Sequence, residues 1–267
     1  MSTSPSTSAS PSPSPPTSPS QSHHEHWRPE QPNPLRIILP DGSHSLSKAS
    51  VLSFALGTLL GTSALTALLT ATLTTSPLWR PPFFLSCLCI FHFLEYHAHA
   101  RWSPKMAKID AFLLTSNGLA YAAAHTAAMI ECILTGIFYP SWQRWPAPVI
   151  TLGFGLVLLG QTLRTAAIAT AGPNFNHRVQ TRRREGHALV THGVYSILRH
   201  PSYFGFFWWA LGTQVVCGNA GCLVLYTVVL WRFFNSRIKG EERALGQFFE
   251  EYEGYRAGTR VGIPFIR

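Results

Sequence analysis

The sequence has 267 residues, of which 12% are charged and 46% are hydrophobic, and its formal net charge is +9. Its charges cluster near the N-terminus, between apolar runs and near the C-terminus, which is typical of a membrane protein. The sequence lacks a basic stripe interleaved with aromatic residues, so the positive charge does not indicate nucleic-acid binding. The five cysteines all lie in apolar windows, which predicts neither a disulfide framework nor a zinc cluster.

The first part of the chain differs from the rest in composition. Residues 1–34 are mainly Ser, Thr and Pro, with too few apolar side chains to offset the entropy of ordering. They indicate a disordered, Ser/Pro-rich tail, whose end we predict at residue 45. Residues 46–267 are then expected to form one membrane domain. A charged region followed by a short apolar region is missing from the N-terminus, so we expect no signal peptide.

Long apolar stretches follow the tail. Residues 49–79 contain no charged side chain and are long enough to cross about 30 Å of hydrocarbon at about 1.5 Å per residue. Three further crossings are predicted over residues 82–97, 110–140 and 145–163. Residues 201–231 are also uncharged, but the turn signal Cys-Gly-Asn-Ala-Gly at 217–221 divides them into a helical hairpin. The sequence therefore predicts an all-α polytopic membrane protein with about six transmembrane helices.

Lys and Arg residues are distributed unevenly between the loops. The segments after the second, fourth and sixth predicted crossings are rich in them, whereas the opposite loops carry only Arg80 and Arg144. Since cytosolic loops carry the excess of positive charge, we expect both termini on the cytosolic side. With six crossings, all the Lys- and Arg-rich segments fall on the same side as the termini, so the polar segments are expected to be cytosolic as well.

Three polar segments, residues 174–180, 186–203 and 231–242, interrupt or follow the apolar runs. Ionisable side chains so close to a bilayer indicate a functional site rather than an ordinary solvent-exposed loop. The polar candidates are His177, Gln180, His187, Tyr195, Arg199, His200, Tyr203, Arg237 and Glu241. The sequence contains neither a Gly-rich phosphate loop nor a Ser-His-Asp pattern, which argues against nucleotide and serine hydrolysis. Arginines with one carboxylate favour recognition of an anion beside a cation.

These segments together resemble the isoprenylcysteine carboxyl methyltransferases, membrane enzymes that methylate the C-terminal prenylcysteine of processed CaaX proteins. The resemblance is carried by LRTAAIATAGPNFNHRVQ, HALVTHGVYSILRHPSYFG, GTQV, WRFF and the closing EE…FFEEYEGY…GIPFI. It covers residues 84–267, with the blocks in the family's order. The final GTRVGIPFI lacks a proline of the family pattern, which leaves the path of the last segment open.

The resemblance implies S-adenosyl-L-methionine as cofactor, bound by residues in two segments, 172–205 and 231–267. The implied cofactor-binding residues are Gln180, His187, Ala188, Leu189, Val190, Tyr195, His200, Pro201, Ser202, Tyr203 and Glu241. Two arginines are implied to be catalytic. Arg237 matches the arginine beside the substrate carboxylate, and Arg164 matches a second functionally important arginine. The resemblance does not imply a metal ion.

The resemblance also implies partners and a location. The substrate is the C-terminal prenylcysteine of CaaX proteins, carrying a farnesyl or geranylgeranyl group, and nucleic acid is not an expected partner. The prenyl tail stays in the lipid bilayer while the carboxylate reaches a cytosolic site. The enzyme is expected to be a multi-pass protein of the endoplasmic reticulum membrane.

The implied chemistry requires no general base. A carboxylate with a pKa near about 3.5 is already ionised at neutral pH. In-line methyl transfer to this carboxylate, held by arginine, then rests on alignment, which supplies on the order of 7–11 kcal/mol. Two alternatives stay open from the residues alone. One is a phospholipid N-methyltransferase, which needs no arginine for a substrate carboxylate, and the other is a non-catalytic scaffold or sterol-binding protein.

Overall fold

The computed structural model describes residues 34–177, 179–180, 182–183 and 185–267, and the regular secondary structure of these residues is helical. Short 3-10 turns connect the longer helices. The α-helices are α1 (Leu46–Leu73), α2 (Arg80–Trp102), α3 (Gly118–Phe138), α4 (Ala147–Ala171), α5 (Pro201–Cys217), α6 (Ala220–Phe248) and α7 (Tyr252–Gly258). The predicted all-α class is confirmed. Most of the predicted tail, residues 1–33, lies outside the described residues.

Four segments are long and apolar enough to cross a membrane. They are Leu46–Leu73, Pro77–Trp102, Gly118–Phe138 and Ala147–Asn174. Many of their large apolar side chains are exposed, including Phe54 and Leu158, as expected of helices surrounded by lipid. These segments match the first four predicted crossings, and the chain is a multi-pass membrane protein. The hairpin of α5 and α6 is not among them, so its role as fifth and sixth crossings stays a prediction.

A tight turn joins α5 to α6 and is held by a carboxylate from α3. The turn begins at Gly218, whose φ of 69° lies in the left-handed region that glycine adopts without steric cost. Glu131 accepts hydrogen bonds from the backbone N–H of Gly221 at 2.8 Å and of Cys222 at 2.7 Å. These N–H groups open α6 and have no partner within the helix. The carboxylate inside an otherwise apolar helix therefore caps α6 and fixes its direction back along α5.

Glycine permits the close contact between α4 and α5. A Cβ on Gly160 would lie 2.5 Å from the carbonyl oxygen of Gly205. A Cβ on Gly205 would lie 2.7 Å from the backbone nitrogen of Arg164. Because any larger residue at these positions would push the helices apart, the two glycines allow the backbones to touch. The start of α5 is thereby fixed against the second half of α4.

The C-terminal segment runs beside the start of α5. The backbone N–H of Arg199 donates to the Arg260 carbonyl at 3.0 Å, and the Arg260 N–H donates to the Ile197 carbonyl at 3.3 Å. Trp231 Nε1 donates to the carbonyl oxygen of Pro264 at 2.8 Å, which attaches the last residues to α6. The sequence left the path of this last segment open, because a proline of the family pattern is missing. These contacts define that path.

The described part of the predicted tail, residues 34–45, contacts the loop after α2. It begins with a 3-10 turn over Pro34–Ile38. The backbone N–H of Ile109 donates to the Ser43 carbonyl at 2.8 Å, and His44 Nε2 lies 3.1 Å from the Lys105 carbonyl oxygen. The predicted boundary at residue 45 thus falls within a segment that contacts the membrane domain.

Candidate active site

A cavity opens where the loop after α4, the start of α5, the second half of α6 and the start of α7 meet. Pro201 stands at the first position of α5, where its fixed φ suits a helix and its missing N–H is no loss. The lining residues are Ala171, Asn174, Phe175, Asn176, His187, Ala188, Leu189, Val190, Tyr195, Arg199, His200, Pro201, Ser202, Tyr203, Glu241, Leu245, Tyr252 and Tyr255. The wall is therefore largely aromatic and apolar, with a few polar groups.

A chain of hydrogen bonds links this cavity to a cation beside it. Tyr203 Oη donates to Glu241 Oε2 at 2.5 Å and accepts from Nε of Arg237 at 2.8 Å. Arg237 and Glu241 are four residues apart on α6 and so lie one turn apart on the same face. Arg237 also faces the rings of Tyr203 and Phe233, at 5.3 and 5.7 Å from the ring centroids. Among the described residues, no carboxylate lies within 4.0 Å of the Arg237 nitrogens.

His177 holds Arg237 from the loop after α4. The His177 carbonyl accepts a hydrogen bond from Nη2 of Arg237, and its ring Nε2 lies 2.8 Å from Nε2 of His99. Burial, followed by the positive charges of Arg164 and Arg237, lowers the pKa of His177 to about 3. The ring is therefore neutral at pH 7. Its contact with Glu95, at 3.7 Å, is not an ion pair at that pH.

A buried ion pair lies behind the cavity. Arg164 on α4 donates from Nε to Glu95 Oε1 at 2.6 Å and from Nη2 to Glu95 Oε2 at 3.0 Å. Its third nitrogen, Nη1, donates to the Ser202 carbonyl at 3.3 Å. The guanidinium also faces the rings of Phe91 and Phe206, at 5.6 and 5.5 Å. Every nitrogen of Arg164 thus has a partner within the protein.

A second carboxylate supports the start of α5 from α6. Glu242 Oε1 accepts from Nε of Arg199 at 2.6 Å and lies 3.2 Å from Nε2 of His200. Its other oxygen lies 3.3 Å from Nε of Arg256, and Arg199 also donates to the Thr259 carbonyl at 2.7 Å. Burial raises the pKa of Glu242, but the bonds from His200 and Arg199 outweigh burial and leave this pKa below its ordinary value. Glu242 is therefore ionised at neutral pH.

Comparisons with known proteins identify the family. Residues 151–247 match the model of the isoprenylcysteine carboxyl methyltransferase (ICMT) family. The protein-S-isoprenylcysteine O-methyltransferase of Saccharomyces cerevisiae is 46% identical over 189 residues, which cover 68% of this chain and 79% of the yeast protein. The chain belongs to this family.

Further members of the isoprenylcysteine carboxyl methyltransferase family agree. The protein-S-isoprenylcysteine O-methyltransferase of Xenopus laevis is 41% identical over 224 residues, covering 82% of this chain and 73% of the frog protein. A solved structure of a eukaryotic intramembrane Ras methyltransferase, an isoprenylcysteine carboxyl methyltransferase, superposes with a TM-score of 0.71 at 36% identity. That match covers 78% of this chain and 74% of the solved chain.

The structure brings most of the residues implied by the family resemblance to one place. Ten of the eleven implied cofactor-binding residues line the cavity, and the exception is Gln180. The two implied catalytic arginines do not line it. Arg237 lies one hydrogen bond beyond the cavity wall, whereas Arg164 lies behind the first turn of α5.

Some residues at the site were not among those predicted. Glu95 binds Arg164, but the residues are 69 positions apart and no sequence spacing links them. Asn174 belongs to a predicted polar segment, and its Oδ1 accepts from the Ala188 N–H at 3.0 Å, which holds the wall at that residue. Tyr252 lines the cavity from α7, although its sequence neighbours Glu251 and Glu253 are exposed.

Proposed function

We propose that this protein is an S-adenosyl-L-methionine-dependent protein-S-isoprenylcysteine O-methyltransferase that methylates the α-carboxylate of C-terminal prenylcysteine in processed CaaX proteins. The observation that carries the proposal is the hydrogen-bonded chain from Arg237 through Tyr203 to Glu241. It places a cation without a carboxylate partner among the described residues beside a cavity whose wall includes Glu241 and several aromatic rings. A position for a substrate anion therefore adjoins a position for a cationic cofactor.

The cavity residues fit the proposed cofactor. Glu241 offers acceptor oxygens for the hydroxyl or amino groups of a nucleoside, and the rings of Tyr195 and Tyr203 can face a sulfonium cation. Ser202 Oγ is buried in the wall and has no hydrogen-bond partner among the described residues, as expected of a group that contacts a ligand. When bound, S-adenosyl-L-methionine supplies a methyl group activated by a positively charged sulfur.

Arg237 is proposed to hold the substrate carboxylate. Its Nε and Nη2 donate to Tyr203 and His177, and the structure describes no partner for Nη1. A charge-assisted hydrogen bond to an ionised carboxylate is shorter and stronger than a neutral one and fixes the position of the nucleophile. Because the carboxylate has already lost its proton at neutral pH, the site does not need a base. Its contribution is alignment, with Tyr203 holding Arg237 in line with the cavity.

Arg164 is proposed to position the site rather than to touch the substrate. Glu95 occupies two of its nitrogens and the Ser202 carbonyl occupies the third. Direct contact with a second carboxylate would require breaking one of these bonds inside a buried site. The interaction with Ser202 instead fixes the turn of α5 that carries the cavity residues up to Tyr203.

We further propose a membrane arrangement with six crossings and a cytosolic site. The hairpin of α5 and α6 would add two crossings to the four apolar segments, and the uneven distribution of Lys and Arg supports a cytosolic position for both termini. The prenyl tail would then remain in lipid while its carboxylate reaches Arg237. Residues 46–267 would form the membrane methyltransferase domain, in the endoplasmic reticulum as the family resemblance implies, with residues 1–45 as its tail.

A methyl-transfer assay tests the proposed function. The protein in lipid nanodiscs is incubated with methyl-labelled S-adenosyl-L-methionine and N-acetyl-S-farnesylcysteine, the carboxamide of that compound, or phosphatidylethanolamine. We expect labelling of the carboxylic acid alone, as a base-labile methyl ester. Labelling of phosphatidylethanolamine alone would identify a phospholipid N-methyltransferase, and lack of binding to the methyl donor would favour a non-catalytic protein.

A further inference from the structure

Tyr252 brings an unsatisfied hydroxyl group to the cavity wall. The residue is 1% exposed and lines the cavity from α7. Its Oη is buried and has no hydrogen-bond partner among the residues that the structure describes. A buried polar group without a partner costs roughly 1–3 kcal/mol, so in a cavity wall such a group would gain from a hydrogen bond to a ligand. Burial raises the pKa of this hydroxyl, which therefore stays protonated and can both donate and accept.

A tyrosine hydroxyl on α7 can form a hydrogen bond within the protein, as a neighbouring residue shows. Tyr255, three residues later on the same helix, donates from its hydroxyl to the Tyr195 carbonyl at 2.7 Å. Ser202, which lines the same cavity from α5, also has a buried Oγ without a partner among the described residues. Two hydroxyls from two separate helices are therefore unsatisfied in the wall of the same cavity.

Tyr252 packs against the last part of α6. Its ring atom Cδ1 is 4.0 Å from the position that a Cβ on Gly246 would take. Its hydroxyl has no described hydrogen bond to Arg237, Tyr203 or Glu241, so it is not part of the chain that holds Arg237.

We propose that the Tyr252 hydroxyl is a further cofactor-binding group, which forms a hydrogen bond to the cofactor in the cavity. The inference rests on the proposed function, because that function supplies the occupant of the cavity. Since the hydroxyl is not part of the chain that holds Arg237, its contact with the cofactor should contribute binding that is the same in the ground state and in the transition state. Its loss should therefore raise KM for the cofactor and leave kcat nearly unchanged.

The variant Tyr252→Phe tests the inference in the full chain in nanodiscs. It retains the ring and removes only the hydroxyl. We expect the Kd for S-adenosylhomocysteine and the KM for S-adenosyl-L-methionine to rise together by about 3- to 10-fold, with kcat within about twofold of wild type. Without ligand, Tm should be unchanged or higher, since the hydroxyl has no described partner in the protein. The rise in Tm caused by S-adenosylhomocysteine should be smaller than in wild type.

Tyr226→Phe is the matched control. Its hydroxyl lies 2.6 Å from Nδ1 of His125, outside the cavity, so the substitution should lower Tm without ligand and leave the Kd unchanged. If wild type binds S-adenosylhomocysteine and Tyr252→Phe binds it equally well, the inference is wrong and the proposed function stands. If Tyr252→Phe lowers the ligand-free Tm and leaves the ligand-induced rise intact, the hydroxyl is structural and the inference is again wrong. Failure of wild type to bind or to transfer methyl would instead contradict the proposed function.

Discussion

Arg164 and Arg237 have the same charge and contact adjacent residues of α5, yet their surroundings differ. Arg164 faces a carboxylate, Glu95, with two hydrogen bonds that neutralise its charge. Arg237 donates to a tyrosine hydroxyl and a backbone carbonyl, which are neutral acceptors. The charge of Arg164 is therefore used within the fold, and the charge of Arg237 is available to a ligand. The comparison shows that an arginine's partners, rather than its location near a site, indicate its role.

The largest effect is expected from removing the partner of Arg164. Glu95→Gln keeps the size of the side chain but leaves the guanidinium buried without its counter-charge. Breaking a buried pair in this way destabilises a protein by about 3–5 kcal/mol. We expect a large fall in Tm, measured by thermal unfolding in detergent, and a loss of folded protein at 37 °C.

A double variant separates charge imbalance from packing. Replacing both partners, with Glu95→Leu and Arg164→Met, leaves no unpaired charge and should recover much of the lost Tm. Glu185→Gln, at an exposed glutamate, is the control and should leave Tm unchanged. If the single and the double variants were equally unstable, the ion pair would not be the source of the stability.

Arg237→Ala is expected to reduce activity rather than stability. Because no described carboxylate depends on this charge, folding should be retained, whereas turnover with N-acetyl-S-farnesylcysteine should fall about 100-fold, or about 2.7 kcal/mol. Cofactor affinity, measured by calorimetry, should change by less than about threefold. Arg232→Ala, at an exposed arginine on the same helix, is the control. Retention of turnover in Arg237→Ala would show that another group holds the carboxylate.

The neutral ring of His177 predicts a pH dependence of stability. Its pKa of about 3 in the folded state lies below the value of about 6.5 expected when unfolded, so the unfolded state takes up a proton first as pH falls. The contribution of His177 is complete above about pH 7, declines below about pH 6.5 and amounts to a loss of about 2 kcal/mol at pH 5.

Thermal unfolding between pH 5 and pH 8 measures this effect. Wild type should lose stability toward pH 5 more steeply than His177→Gln, whose amide does not titrate. Equal pH profiles for the two proteins would mean that His177 titrates normally in the folded state and that its proximity to Arg164 and Arg237 has no energetic effect.

The smallest effect is expected for Tyr203→Phe. The substitution removes the hydroxyl that accepts from Arg237 and donates to Glu241, while the ring remains stacked on His200. Arg237 would keep its charge but lose one of its two supports. We expect turnover to fall about 5- to 10-fold, about 1–1.4 kcal/mol, with cofactor KM and substrate KM both raised. A change in the cofactor KM alone would show that Tyr203 does not couple the two positions.

Much of the fold follows from the sequence because apolar runs and turn residues are local signals. The first four crossings coincide with four apolar helical segments, and the Gly-Asn turn joins α5 to α6 as predicted. The family resemblance named ten residues that now line one cavity.

The remaining features depend on helix rotation and on long-range contacts. Glu131 caps the start of α6, which lies 90 residues away and is not marked by a sequence motif. The pairing of Arg164 with Glu95 depends on which faces of α2 and α4 meet. The position of Tyr252 could not be predicted, because its sequence neighbours are charged and exposed. Only the structure of α7 shows that this residue lines the cavity.

The central claim is that Arg237 binds the substrate carboxylate, and a cycle between protein and ligand tests it most directly. Inhibition constants are measured for S-farnesylcysteine carboxylate and for its carboxamide, on wild type and on Arg237→Ala. We predict that wild type prefers the carboxylate by about 10- to 100-fold and that Arg237→Ala binds the two compounds nearly equally. The same preference in both proteins would contradict the claim, because the charge of Arg237 would then not interact with the carboxylate.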